Sequence, residues 1–158
     1  MRTLLIIAGI LLAAAGQAAQ PTWSWLGGVR LELLPAIVAY AALSARRPAH
    51  VVGWGAVAGL AQDSLSAAPF GMTMATFGVA ALGLWALRDW LDRGLPWVQL
   101  VAGAAVSLAA GGVAVWVVGV TPVALVKLVW IAALNAALTV VVFFLVDLAR
   151  LQLGMEAE

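Results

Sequence analysis

The chain has 158 residues, of which 65% are hydrophobic and 9% charged, with a mean hydropathy of +1.09. A soluble domain carries about 25% charged residues, so the chain lacks the polar surface to face water and reads as a polytopic membrane protein. A net charge of +1 gives no general pull toward nucleic acid, and the absence of cysteine excludes disulfides, thiolate metal sites and a cysteine nucleophile.

Crossing the hydrocarbon of a bilayer takes roughly 20 apolar residues in a helix, and six segments come close. The first is Thr3–Ala19. Its positive start, apolar core and small-x-small site at Gly16–Ala18 also fit a signal peptide; retention as a span is the expectation. The second is Gly28–Ala45, with Arg30 and Glu32 at its outer start. The third and fourth are Val51–Leu65 and Phe70–Leu87. The fifth, Trp97–Gly119, is ended by Gly119 and Pro122, and the sixth is Pro122–Leu148. The connections are brief and leave no room for a soluble domain. Residues 1–158 therefore read as one all-α integral membrane domain, a six-transmembrane-helix bundle. Many of the eight tryptophans suit interfacial anchoring.

Cations set the orientation. With the N-terminus inside, the inner side carries Arg2, Arg46, Arg47, Arg88, Arg93 and Arg150, against Arg30 and Lys127 outside. Both termini are expected in the cytoplasm. The loop residues Arg46, Arg47, Arg88, Asp89, Asp92 and Arg93 read as topology determinants, and the RDWLDR run also suits a cytoplasmic partner or anionic headgroups of membrane lipids. The lone histidine, His50, falls in an inner loop, where solvation explains it.

Ionisable and polar residues within the spans are more telling. In the third segment Gly55, Gly59 and Asp63 recur every four residues and share a helix face. Gly103, Ser107 and Gly111 do the same in the fifth, and Lys127, Ile131, Asn135 and Thr139 in the sixth. Small-residue stripes let helices approach closely, so internal packing explains them, with a partner interface as the sharper reading. No nucleophile elbow, zinc-protease motif, phosphate-cradling loop or paired carboxylates occur. No catalytic residue, metal site or cofactor is expected.

The stretch Gly59-Leu60-x-x-Asp63, followed by Pro69-x-Gly71, resembles MreD, the rod-shape-determining membrane protein family of bacteria. The LLPAIVAYAAL segment is similar to that family's second helix, and the Asn135-containing segment to its last. Ala67 and Ala68 depart from the family's more frequent glycine or serine, and Gln62 from its apolar residue. The resemblance implies a non-enzymatic scaffold of the cell-elongation complex. Its partners would be MreC directly, with RodA, a class B penicillin-binding protein and MreB in the same assembly, supporting lateral-wall peptidoglycan synthesis and rod shape. It also implies a fold like the six-helix substrate-binding subunits of energy-coupling-factor transporters. The alternative function is accordingly a small-molecule or lipid-binding transporter subunit, which would need a cavity with several convergent polar groups.

Asp63 needs compensation in an apolar span. An aspartate at mid-membrane costs about 2.5–3.5 kcal/mol, and the negative end of its own helix adds to this. Two sources are open. One is a cation, Lys127 or Arg30; the other, favoured, is backbone N–H groups of the Ser64–Gly71 turn and the next helix start. In that reading Gly59, Asp63, Pro69 and Gly71 form a structural turn motif.

Overall fold

A computed structural model of the chain describes residues 2–20, 31–66 and 69–152, and every regular element among them is a helix. In order these are α1 (Arg2–Ala19), α2 (Leu34–Ser44), α3 (Pro48–Leu65), α4 (Met72–Leu87), α5 (Pro96–Val118) and α6 (Pro122–Gln152). Two stretches, Pro96–Val117 and Pro122–Gln152, are long and apolar enough to cross a membrane.

Proline places four of the starts. α3, α5 and α6 begin on Pro48, Pro96 and Pro122, and Pro35 lies in the first turn of α2. A proline ring suits the first helical turn, where an N–H has no intrahelical partner, but clashes with the carbonyl four residues earlier inside a helix. This corrects the second segment. A helix over Gly28–Ala45 would bury Pro35 in its interior, whereas residues 31–33 are non-helical and α2 begins at Leu34. Residues 21–30 lie outside the described residues. Other ends move less: α3 starts at Pro48 rather than Val51, α4 at Met72 rather than Phe70, and α6 runs on to Gln152.

α2 is the centre of the bundle. Every residue from Leu34 to Leu43 is buried, and α2 packs against all five other helices. A helix of 11 residues is about 16 Å long, so it is enclosed by its longer neighbours. The closest pairings are the two hairpins α3–α4 and α5–α6. α1 lays Ile10 and Ala13 on the core and turns Leu11 and Leu12 outward. The outward faces elsewhere are also apolar, with Val79, Trp116, Val126, Trp130 and Phe144 among the exposed side chains.

Candidate functional site

α3 ends and α4 begins around Asp63. Its carboxylate is 4% exposed and accepts three backbone hydrogen bonds. Gly71 N–H donates to Oδ2 at 2.8 Å, Thr73 N–H to Oδ1 at 3.1 Å and Met74 N–H to Oδ2 at 3.4 Å. These amides belong to the first turn of α4, where N–H groups lack intrahelical partners. The positive end of α4 thus meets the carboxylate that the negative end of α3 disfavours. Gly71 precedes Met72 with φ +90°, a left-handed conformation that glycine adopts without steric cost. Pro69 lies outside α4 and its carbonyl accepts from Met72 N–H at 3.2 Å.

The glycines of α3 permit this geometry. A Cβ on Gly55 would stand 2.9 Å from the carbonyl oxygen of Phe77, and one on Gly59 would stand 2.7 Å from that of Thr73 and collide with Met74 Cα. The obstacles are backbone atoms of α4, which no rotamer change can move aside. Gly55, Gly59 and Asp63 therefore form one contact surface within the chain.

A second seam joins α5 to α6. A Cβ at Gly103 would collide with the Thr139 hydroxyl, and one at Gly111 with Leu128 Cδ1. Between them Asn135, fully buried, donates from Nδ2 to Ser107 Oγ at 3.1 Å. Its Oδ1 accepts the Glu32 backbone N–H at 3.2 Å. Asn135 lies about 20 Å along α6 from Pro122, so the non-helical run before α2 enters deep into the bundle. Buried backbone of that kind requires a partner, and Asn135 supplies it. Glu32 is half-buried there rather than at an outer surface.

Lys127 does not share the seam. It is exposed, whereas Asn135 and Thr139 are buried. Each four-residue step overshoots a full turn by about 40°, so two steps back from Asn135 carry Lys127 off the face. Lys127 has no ion pair with Asp63 among the described residues, and Arg30 lies outside them.

Arg46, Arg47, Arg88, Arg93 and Arg150 gather at one end of the bundle. Arg88 donates to the Ala45 carbonyl, stacks 4.7 Å above the Trp85 ring and pairs with Asp89 at 3.3 Å. Trp85 Nε1–H reaches the same carbonyl at 3.2 Å. Arg93 donates to Ser44 Oγ at 3.1 Å. Arg150, 6% exposed, donates to Tyr40 Oη at 3.4 Å and lies 3.5 Å from Asp147. Tyr40 O–H in turn donates to Asp147 at 3.1 Å. The Tyr40–Asp147–Arg150 cluster escapes a reading based on four-residue stripes, although an acid and a base three apart at a helix end are its sequence mark.

No protein-family model, no curated protein and no solved structure matches the chain. What remains for function is the geometry. The glycine stripes, Asp63 and Asn135 are engaged within the chain, and among the described residues no three His, Cys, Asp or Glu side chains group as a metal site.

Proposed function

We propose that the chain is a six-span protein of the bacterial cytoplasmic membrane, with both termini inside, acting as a non-enzymatic scaffold of the cell-elongation complex. The observation that carries this reading is the Asp63 clasp. The residues on which the resemblance to MreD rests form one physical unit: Gly59 admits α4, Asp63 binds its first turn, and Gly71 turns the chain into it. Such a unit gives the motif a structural purpose, fitting a protein whose work is to present helices.

Support for the membrane environment comes from the outside of the bundle. Trp116 is 78% exposed and Val79 73%, and large apolar side chains left open on several helices suit contact with lipid or partners. The Arg46–Arg47 end holds Arg88, Arg93 and Arg150 as well, the asymmetry expected of a cytoplasmic face. Ile10 and Ala13 of α1 lie in the core, favouring a retained first span.

MreC is the partner we propose for direct binding, with RodA, the class B penicillin-binding protein and MreB in the wider assembly. Because α5 spends Gly103, Ser107 and Gly111 on α6, a partner helix would meet an outward apolar face instead. The test is affinity capture of the intact protein in mild detergent from its own host. Recovery of MreC supports the scaffold. Recovery instead of an ATPase pair with a coupling subunit overturns it in favour of the transporter subunit resembling those of energy-coupling-factor systems.

A further inference from the structure

The arginine end holds a cavity of about 280 Å³ whose lining includes Tyr40, Arg46, Arg47, His50, Trp54, Val146 and Arg150. That is close to the lower end of the about 300–1,000 Å³ seen for small-ligand pockets. Its chemistry is two-sided. Trp54 and Val146 give an apolar wall, whereas Arg46, Arg47 and Arg150 bring three guanidinium groups. Among the described residues no carboxylate lines it; Asp147 holds Arg150 from beside the cavity. The N-terminus of α3, an 18-residue helix, opens here at Pro48 between Arg47 and His50, adding its positive dipole end.

Beside the cavity a buried group is left without a partner. Arg150 Nε is fully enclosed and makes no hydrogen bond, although the same guanidinium reaches Tyr40 and Asp147 through Nη1. An unpaired buried donor on a cation is costly, and it leaves part of the Arg150 charge uncompensated beside the cavity. A neutral apolar ligand would leave the arginine charges uncompensated, and a cation would be repelled. A phosphate offers several acceptor oxygens to arginine forks. The apolar wall then favours a phosphate attached to a hydrocarbon over a free one.

We propose that this cavity binds the phosphate headgroup of an anionic membrane lipid, held by Arg46, Arg47 and Arg150 with its glycerol and upper chain against Trp54 and Val146. The inference rests on the membrane reading above and is independent of MreC. The test uses the full chain purified in a neutral detergent and titrated with phosphatidylglycerol, phosphatidylcholine or inorganic phosphate, with bound lipid read by native mass spectrometry. Phosphatidylglycerol should bind at least tenfold more tightly than phosphatidylcholine. Arg47 is exposed, so Arg47→Gln should fold normally and bind phosphatidylglycerol about fivefold more weakly. Lys127→Gln, at an exposed cation away from the cavity, should bind as the parent does. Equal affinity for the two lipids, or an unaffected Arg47→Gln variant, overturns the site. Displacement by inorganic phosphate at the concentration of the lipid overturns the lipid as occupant. A chain recovered only from the soluble fraction overturns the membrane reading with it, whereas a membrane-inserted chain that ignores phosphatidylglycerol overturns the cavity proposal alone.

Discussion

Replacing Asp63 by alanine removes the acceptor for three amides of α4. Hydrogen bonds to an ionised acceptor contribute about 1.5–3 kcal/mol each, and a buried amide left unpaired costs about 1–3. Gly71 at 2.8 Å and Thr73 at 3.1 Å count fully, while Met74 at 3.4 Å adds little. Two such bonds amount to about 3–6 kcal/mol. Against this stands relief from holding a buried charge near the negative end of α3, worth about 1 kcal/mol or more. The expected net loss for Asp63→Ala is about 3 kcal/mol. Asparagine keeps one acceptor oxygen but turns an NH2 toward the other amides, so Asp63→Asn should lose about half as much.

Equilibrium unfolding of the purified protein in mixed micelles, followed by the fluorescence of its eight tryptophans, reads both values. Lys127→Gln provides the contrast, because a cation paired with Asp63 would make it destabilising and an exposed, unpaired one leaves it silent. An Asp63→Ala protein within about 0.5 kcal/mol of the parent would refute the clasp. So would a Lys127→Gln loss as large as that of Asp63→Ala.

The remaining expectations follow from packing and orientation. Gly59→Ala should destabilise by more than about 2 kcal/mol, because its Cβ meets α4 backbone, while Gly53→Ala, with open space around it, should be neutral in the same unfolding assay. Gly103→Leu should also destabilise, and if it folded normally yet lost only MreC in affinity capture, α5 would have to face the partner rather than α6. Asn135→Leu leaves the Glu32 amide unpaired, and hydrogen exchange at Glu32 should accelerate at least tenfold, an effect that an unchanged rate would refute. The chain has no native cysteine, so single cysteines report topology cleanly. In intact cells, cysteines at Arg47 and Arg93 should be shielded from an impermeant thiol reagent and one at Val120 should react; the reverse pattern would invert the orientation.

How much of this was legible depended on whether the deciding interaction was local. The Asp63 clasp lies within a dozen residues, and both its acceptor and its glycine turn are written in one stretch. Helix starts at Pro48, Pro96 and Pro122 are equally local. α2 starts later than hydropathy suggests because Leu31 and Leu33 extend the apolar pattern upstream, while Pro35 forbids the helix there. Asn135 stood out as polar, but its partner Glu32 is 103 residues away and contributes a backbone amide, which no side-chain pattern records. The cavity is harder still: Tyr40, Arg47 and Arg150 belong to different elements, and only the enclosure of α2 brings them together.

The short helices explain where the polar residues are. A helix spanning the bilayer leaves its unpaired end groups in water, whereas one that stops short leaves them where nothing solvates them. α2 is 11 residues long and α4 is 16. At the entrance to α2, Asn135 accepts the Glu32 amide; at its exit, Trp85 and Arg88 converge on the Ala45 carbonyl; at the start of α4, Asp63 takes the first-turn amides. Each donor or acceptor comes from a different helix than the end it serves, so each contact also fixes one helix against another. A side chain that meets an exposed loop has water as its substitute and can be exchanged cheaply. Asn135 and Asp63 cannot, because removing either leaves the amides it serves without that acceptor. Asn135, Trp85, Arg88 and Asp63 thus mark where short helices begin or end, and their substitution acts on the position of whole helices.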